Sequence, residues 1–312
     1  MIIRIIRKRR EQSTLRVKPT ASITILYSRD HTILQPWAFN GPINETYPTP
    51  RAVETATVSH IQKGFKISAR KLPISKSGPI DKMSEKLGIP VPEMIFGDNM
   101  VAIEHLESGW RMEFNAYDAL DLVDKTDKNM LKVAYSKEWS SSREKTHEGI
   151  KEIVKPFDWS YTTEYKGTVT NGKSFALDNS DPIPIALLKR QDPILFFEEV
   201  VLYESELDDN GISVFSCKLR VMPDRMLLLC RLFMRLDNVL VRIRDTRIYV
   251  DFNTNKVIRD YTEKEDAFDT VKKNLLYSGK LPDDLTIALR DPNQIAHLVP
   301  EVTHTIENLT LP

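Results

Sequence analysis

The chain has 312 residues, 41% of them hydrophobic, enough to enclose a sizeable core in one long domain or a domain with appendages. Lysine plus arginine equals aspartate plus glutamate at 44 each, so no net field draws the molecule towards nucleic acid. No apolar run reaches the roughly 18 residues of a membrane span, and the two cysteines, Cys217 and Cys230, sit in apolar sequence and read as reduced core residues.

Residues 1–20 are basic, with Arg4, Arg7, Lys8, Arg9, Arg10, Arg16 and Lys18 against Glu11. That composition also describes a mitochondrial presequence, but Ile2, Ile3, Ile5 and Ile6 do not form one helical face opposite the arginines. Residues 21–55 hold Pro36, Pro42, Pro48 and Pro50 among serine, threonine and asparagine, the composition of a poorly ordered arm. The expected organisation is a basic, then proline-rich arm over 1–55, one domain over 56–300 and a polar, frayed tail over 301–312. The expected setting is the cytosol, with the nucleus also open.

Order should begin near Val58, with residues 58–69 strand-like. Residues 80–87 suit a short helix closed by Gly88 and stopped by Pro90. Residues 94–106 give two strand pieces around Gly97-Asp98-Asn99, and residues 110–114 alternate. Asn115 is then a good N-cap for a helix over 116–123, in which Ala116, Leu120 and Val123 share a face and Asp118 points elsewhere. Residues 131–135 read as a strand, and the polar stretch 136–148 suits a surface helix anchored by Trp139. Residues 156–167 are dense in aromatic and β-branched side chains and should pack on a sheet as an extended segment. Asn171-Gly172 suits a tight turn, and residues 179–184 break into a loop.

The remainder is dominated by a run of strands. Residues 194–204 are apolar with acids embedded, and Asp208-Asp209-Asn210-Gly211 should close a hairpin, Asn-Gly supplying positive φ. Residues 212–222 alternate, as a half-buried strand does. Residues 226–236 read as a strand, with a buried helix as the alternative; strand-like neighbours and a corner at Pro223 favour the strand. Residues 239–252 alternate, Phe252-Asn253-Thr254-Asn255 turns, and residues 256–261 return. A helix over 264–276 and a short one from Asp291-Pro292 to Leu298 follow. The fold class is therefore α+β: compact, mostly antiparallel, with a C-terminal meander and peripheral helices.

Catalytic constellations are scarce. The six histidines show no metal-ligand spacing, and no glycine-rich phosphate loop or Gly-x-Ser-x-Gly elbow occurs, so no metal or cofactor is expected. Glu198-Glu199, Glu204, Glu206, Asp208 and Asp209 allow a carboxylate-type hydrolase as an alternative, against an acidic turn and a solvated strand face. From Val239 onward the apolar residues hold odd positions as far as Ile243 and even ones from Ile248, with Arg242, Arg244, Asp245 and Arg247 between. Such a switch points to a bulge or to a strand crossing between environments, and the charges to an ion-pair cluster or a binding surface.

Several motifs, in order, resemble the TIPRL family of TOR signalling pathway regulators. They are Pro92-Glu93-Met94-Ile95-Phe96-Gly97-Asp98-Asn99, Met112-Glu113-Phe114-Asn115-Ala116-Tyr117-Asp118-Ala119-Leu120 and Leu131-Lys132-Val133-Ala134, then residues 155–167. Phe196-Phe197-Glu198-Glu199-Val200, Asp209-Asn210-Gly211-Ile212-Ser213, Arg220-Val221-Met222-Pro223 and Arg244-Asp245-Thr246-Arg247 continue the series. The resemblance covers residues 58–261. It implies a non-enzymatic regulator that binds the catalytic subunit of type 2A-like protein phosphatases downstream of the TOR kinase, alongside the alpha-four type partner. It also implies a β structure whose helices wall a groove for an extended phosphatase tail. Within it, Asp118 and Asp245 are expected to line the groove with Ile243, Arg244 and Arg247, touching the phosphatase or holding the arginines that do. A nucleic-acid binder using the basic arm is the remaining alternative, opposed by the zero net charge.

Overall fold

The computed structural model describes residues 48–126, 157–179, 181–279 and 282–312. The expected strand over 131–135, the expected surface helix over 136–148 and the arm as far as residue 47 lie outside these residues. Structure begins earlier than expected, with helix α1 (Pro50–Ala56). Thr49 accepts a bond from Ala52 N at 3.2 Å, and Pro50 takes the first helical position, where its missing N–H has no partner to lose. The strand-like run 58–69 is in fact a hairpin, β1 (Thr57–Gln62) and β2 (Phe65–Arg70), turning at Lys63-Gly64. Helix α2 (Ser77–Leu87) ends at Gly88 in the left-handed region, as expected, and β3 (Met94–Ile95) and β4 (Met100–His105) flank the foreseen turn. β5 (Trp110–Asn115) leads into α3 (Ala116–Asp121), capped by Asn115 Oδ1, which accepts from Asp118 N at 2.8 Å. Short β6 (Thr168–Thr170), β7 (Ala176–Leu177) and α4 (Ile185–Lys189) precede the meander.

The meander is β8 (Phe196–Ser205), β9 (Gly211–Val221), β10 (Arg225–Leu236), β11 (Leu240–Asp251) and β12 (Lys256–Ala267). β10 pairs along its length with β9 and β11, so the helix alternative falls away. β12 runs six residues beyond the expected end at Tyr261, and the following helix α5 (Phe268–Tyr277) starts correspondingly late. After α6 (Pro282–Ala288) and α7 (Pro292–Ile295) comes a correction: residues 301–310 are not frayed but form β13 (Glu301–Thr310), paired with β12. Val302, Thr303, Thr305, Ile306 and Thr310 are β-branched and suit a pleated surface, a preference hidden by the polar composition. The β8–β9 turn is a second correction. Positive φ falls on Leu207, Asp208 and Asp209, not on Asn210 or Gly211. Gly211 is required for another reason: a Cβ there would fall on the carbonyl oxygen of Arg235 in β10.

Among the described residues the strands form two antiparallel sheets, of order β1-β2-β4-β5-β6 and β3-β8-β9-β10-β11-β12-β13-β7. The main core joins side chains of both, such as Phe65, Ile67, Met112 and Phe114 from one with Leu228, Cys230, Leu232 and Ile248 from the other. Phe157, Trp159, Tyr161 and Tyr165 of the extended segment enter the same core, as the aromatic density predicts. Polar atoms of this segment and its neighbours bond to nearby backbone carbonyls. Tyr203 OH donates to Tyr161 O at 2.9 Å, and Thr163 Oγ1 donates to Ala119 O at 2.6 Å. The α+β, mostly antiparallel reading is borne out. Among the described residues no helix is long and apolar enough to cross a membrane.

Candidate functional site

Strand alternation divides the eight-stranded sheet into two faces. On β10, Leu228, Cys230, Leu232 and Met234 enter the main core, while Leu227, Leu229, Arg231 and Phe233 point to the outer face. Two patches of that outer face are covered. Helices α5, α6 and α7 bury Phe233, Val241 and Ile243 in a second core with Phe268, Val271, Leu285 and Ile295. Tyr249, Ile258 and Ile306 form a third cluster with Ile183, on which Leu188 of α4 packs. Between these patches lies a groove of about 470 Å³. Its floor is Phe197 and Glu199 of β8, Val214, Ser216 and Lys218 of β9, and Leu227, Leu229 and Arg231 of β10. Ile212 and Arg220 of β9, Arg247 of β11 and residues 290–293, leading into α7, also line it.

The charges of the groove are organised by one buried carboxylate. Asp245, 3% exposed, accepts from Arg231 Nε at 2.6 Å and Nη2 at 2.8 Å, and from Arg247 Nη2 at 2.6 Å. The remaining Arg231 Nη1 donates to Asn293 Oδ1 at 2.8 Å, tying the floor to the α7 wall. A planar guanidinium against a carboxylate in this two-bond fork is held in position as well as in energy. Arg247 Nη1 also lies 3.5 Å from Asp260.

The switch of apolar positions in β11 now has a cause. The strand keeps register with β10 and β12 throughout Leu240–Asp251, so there is no bulge. Odd positions pass from beneath the helices (Val241, Ile243) through the groove (Asp245, Arg247) to the third cluster (Tyr249). Even positions begin with Arg242, which donates to Thr162 Oγ1 at 2.8 Å, and Arg244, paired with Glu263, and end with Ile248 and Val250 in the main core.

The five residues expected to line a partner site therefore do not converge. Arg247 lines the groove, and Asp245, enclosed beside it, holds Arg247 and Arg231 in place. Ile243 is 1% exposed beneath the helices, and Arg244 lies on the opposite face of the sheet. Asp118 sits on α3, accepting from Asn115 Nδ2 at 2.9 Å and from Thr168 Oγ1. The nearby Tyr165 hydroxyl, 2.8 Å from Thr168 Oγ1, is raised well above its ordinary value by burial, with the Asp118 charge adding to it. Sequence reasoning missed Arg231, Leu227, Leu229 and Arg290. The signal for Arg231 was present: an arginine in the middle of the apolar run of β10, directly opposite Asp245 in the register.

The chemistry available elsewhere is limited. Glu198 pairs with Lys71 at 2.5 Å and Glu199 with Lys218 at 2.8 Å. As neighbours on one strand they point to opposite faces, so these two carboxylates do not face a common substrate. Burial pushes the Cys230 thiol well above its ordinary range, which makes it inert. Among the described residues no group of three or more histidine, cysteine or acidic side chains is placed to hold a metal ion.

The TIP41-like family matches residues 94–272, which takes in the whole meander. A TIP41-like protein of Rattus norvegicus is 42% identical over 252 residues, covering 80% of this chain and 88% of its own length. The type 2A phosphatase activator TIP41 of Saccharomyces cerevisiae is 40% identical over 281 residues, 83% of this chain and 77% of its own length. The type 2A phosphatase activator tip41 of Schizosaccharomyces pombe is 33% identical over 247 residues, 79% of this chain and 96% of its own length.

Proposed function

This chain belongs to the TIP41-like family, and from that premise we propose that it is a non-enzymatic regulator of type 2A-like protein phosphatases. It binds the phosphatase catalytic subunit, receives that subunit's extended tail in the groove on the outer face of the eight-stranded sheet, and so changes phosphatase activity or assembly. The setting is TOR signalling in the cytosol, beside the alpha-four type partner. The observation that carries this reading is the outer face between the two helix-covered patches, which no described residue covers. Phe197 is 54% exposed there, and Leu227 and Leu229 are half-buried on a strand whose alternate residues are fully enclosed. A partly exposed apolar floor with arginines held at its edge is the composition of a recognition surface. Extended segments laid across sheets and grooves are a recurrent mode of peptide recognition. Two yeast relatives carry the name of type 2A phosphatase activator, which supports the same class of partner.

The test is direct binding of the full chain to a purified type 2A-like catalytic subunit, with and without the subunit's tail. Turnover of a phosphopeptide substrate is followed in parallel. Saturable binding that weakens on removal of the tail, with a change in turnover, is the expected result. Absence of binding in both forms would overturn the reading.

A further inference from the structure

We infer that the groove selects an extended peptide segment carrying two acidic side chains four residues apart, with an apolar side chain midway between them. Arg220 and Arg290 are the residues that read the two acids. This rests on the docking reading of the groove and adds the chemistry of what is docked.

The inference comes from a census of the lining charges. Five cations line the groove, Lys218, Arg220, Arg231, Arg247 and Arg290, against two acids, Glu199 and Asp291. Both acids are committed within the protein. Glu199 pairs with Lys218 at 2.8 Å, and Asp291 caps α7, accepting from Asn293 N at 2.9 Å and from Gln294 Nε2 at 3.2 Å. Arg231 and Arg247 are held by Asp245. Arg220 and Arg290 are different: both are exposed, both line the groove, and neither side chain has an acidic partner among the described residues. Among the described residues the groove therefore presents two guanidinium groups without an acidic partner, with an apolar floor between.

The register sets the scale of the floor. Arg220 lies opposite Leu227, and Arg231 is four residues further along the same strand, bonded to Asn293 of the wall segment 290–293 that carries Arg290. One strand across and four residues along is about 14 Å. An extended chain advances roughly 3.3–3.6 Å per residue, so about four residues span that distance. Positions i, i+2 and i+4 of an extended segment share a face. The face turned to the floor then reads acid, apolar, acid, the apolar residue meeting Leu227 and Leu229. A single-stranded nucleic acid fits less well. Bases need aromatic platforms, and of the two phenylalanines in the lining only Phe197 is exposed, Phe233 being buried under the helices.

The experiment is calorimetric titration of the full chain with nine-residue peptides. One carries Glu at its third and seventh positions and Leu at its fifth; a second has Gln for both Glu; a third places the two Glu side by side. The purified catalytic subunit is titrated as well. The spaced Glu peptide should bind at least about tenfold more tightly than either control, lose that margin at high salt, and lose it in an Arg220→Glu, Arg290→Glu double variant. That variant should instead favour the same peptide with Lys in place of Glu, a reversal that a merely structural role would not produce. Equal affinity for the Glu and Gln peptides, a preference that survives the double variant, no detectable peptide binding, or binding of an oligoribonucleotide in their place would each overturn the inference. The two readings fail separately. A catalytic subunit that binds wild type and double variant alike sinks the acid-reading role and leaves docking intact. Acid-spaced peptide selection without subunit binding does the reverse.

Discussion

The two faces of the eight-stranded sheet are built from the same strands and answer to different neighbours. The inner face meets the five-stranded sheet and the aromatic segment over 157–165, and its residues on β9 and β10 are apolar almost without interruption. The outer face meets two separate helical covers with a gap between, and its residues are apolar, charged and apolar again along a single strand. A mixed pattern in a strand is thus no sign of weak strand character. It records, residue by residue, what lies above the sheet.

The largest expected effects separate the faces directly. Leu232 is fully enclosed on β10, and Leu232→Ala should cost about 2–5 kcal/mol, the range for a buried leucine that leaves a cavity. Leu229→Ala, three residues away on the outer face, should cost less, about 1–2 kcal/mol, because the side chain is already partly exposed. Denaturant unfolding of both variants decides the matter, and equal losses would abolish the distinction between the faces.

Asp245→Asn comes next, at about 2–3 kcal/mol, since it weakens charge-assisted bonds to two arginines at an enclosed position. A variant as stable as wild type would show that the buried carboxylate is dispensable. Gly211→Ala should cost about 1–3 kcal/mol through collision of the new Cβ with the Arg235 backbone. An unchanged melting midpoint would show that the strands part to admit the new Cβ at no cost, against the close approach of the Arg235 backbone.

The smallest effect concerns pH. Burial among the inner-face residues raises the Asp158 carboxyl above its ordinary value, against the pull of the bonds from Ser160 and the charges of Arg242 and Arg244. As pH rises from about 4 the unfolded chain ionises first, so the folded state loses stability until its own carboxyl has ionised. Asp158→Asn should remove that decline from the stability profile. A variant that retained it would assign the decline to another group.

Much of the fold was legible because local chemistry and tertiary contact agree. Asn115 caps its helix and Gly88 closes another as their residue types require. The strands of the meander appear in the foreseen order because their inner face alternates cleanly. The tail was misread since β13 is an outlying strand with few buried positions, so its polar residues outweigh Ile306 and Leu309. The site was only partly legible. The break in β11 located Asp245 and Arg247, but Ile243 and Arg244 are their neighbours in sequence only, and Asp118 lies on α3. Periodicity gives the face of a residue relative to its own strand, and it does not say which face a helix from later in the chain will cover. Arg290, supplied by the loop before α7, carries no periodic signal at all.

The most direct test of a partner surface on the outer face is the affinity of the purified catalytic subunit for three full-length proteins: wild type, Leu229→Arg and Asp118→Leu. Leu229→Arg places a charge on the groove floor while leaving the enclosed side of β10 untouched. Its affinity should fall by about tenfold or more, with a melting temperature close to that of wild type, and Asp118→Leu should bind nearly as wild type does. Undiminished binding by Leu229→Arg together with a loss in Asp118→Leu would place the partner at the α3 side of the molecule and contradict the account.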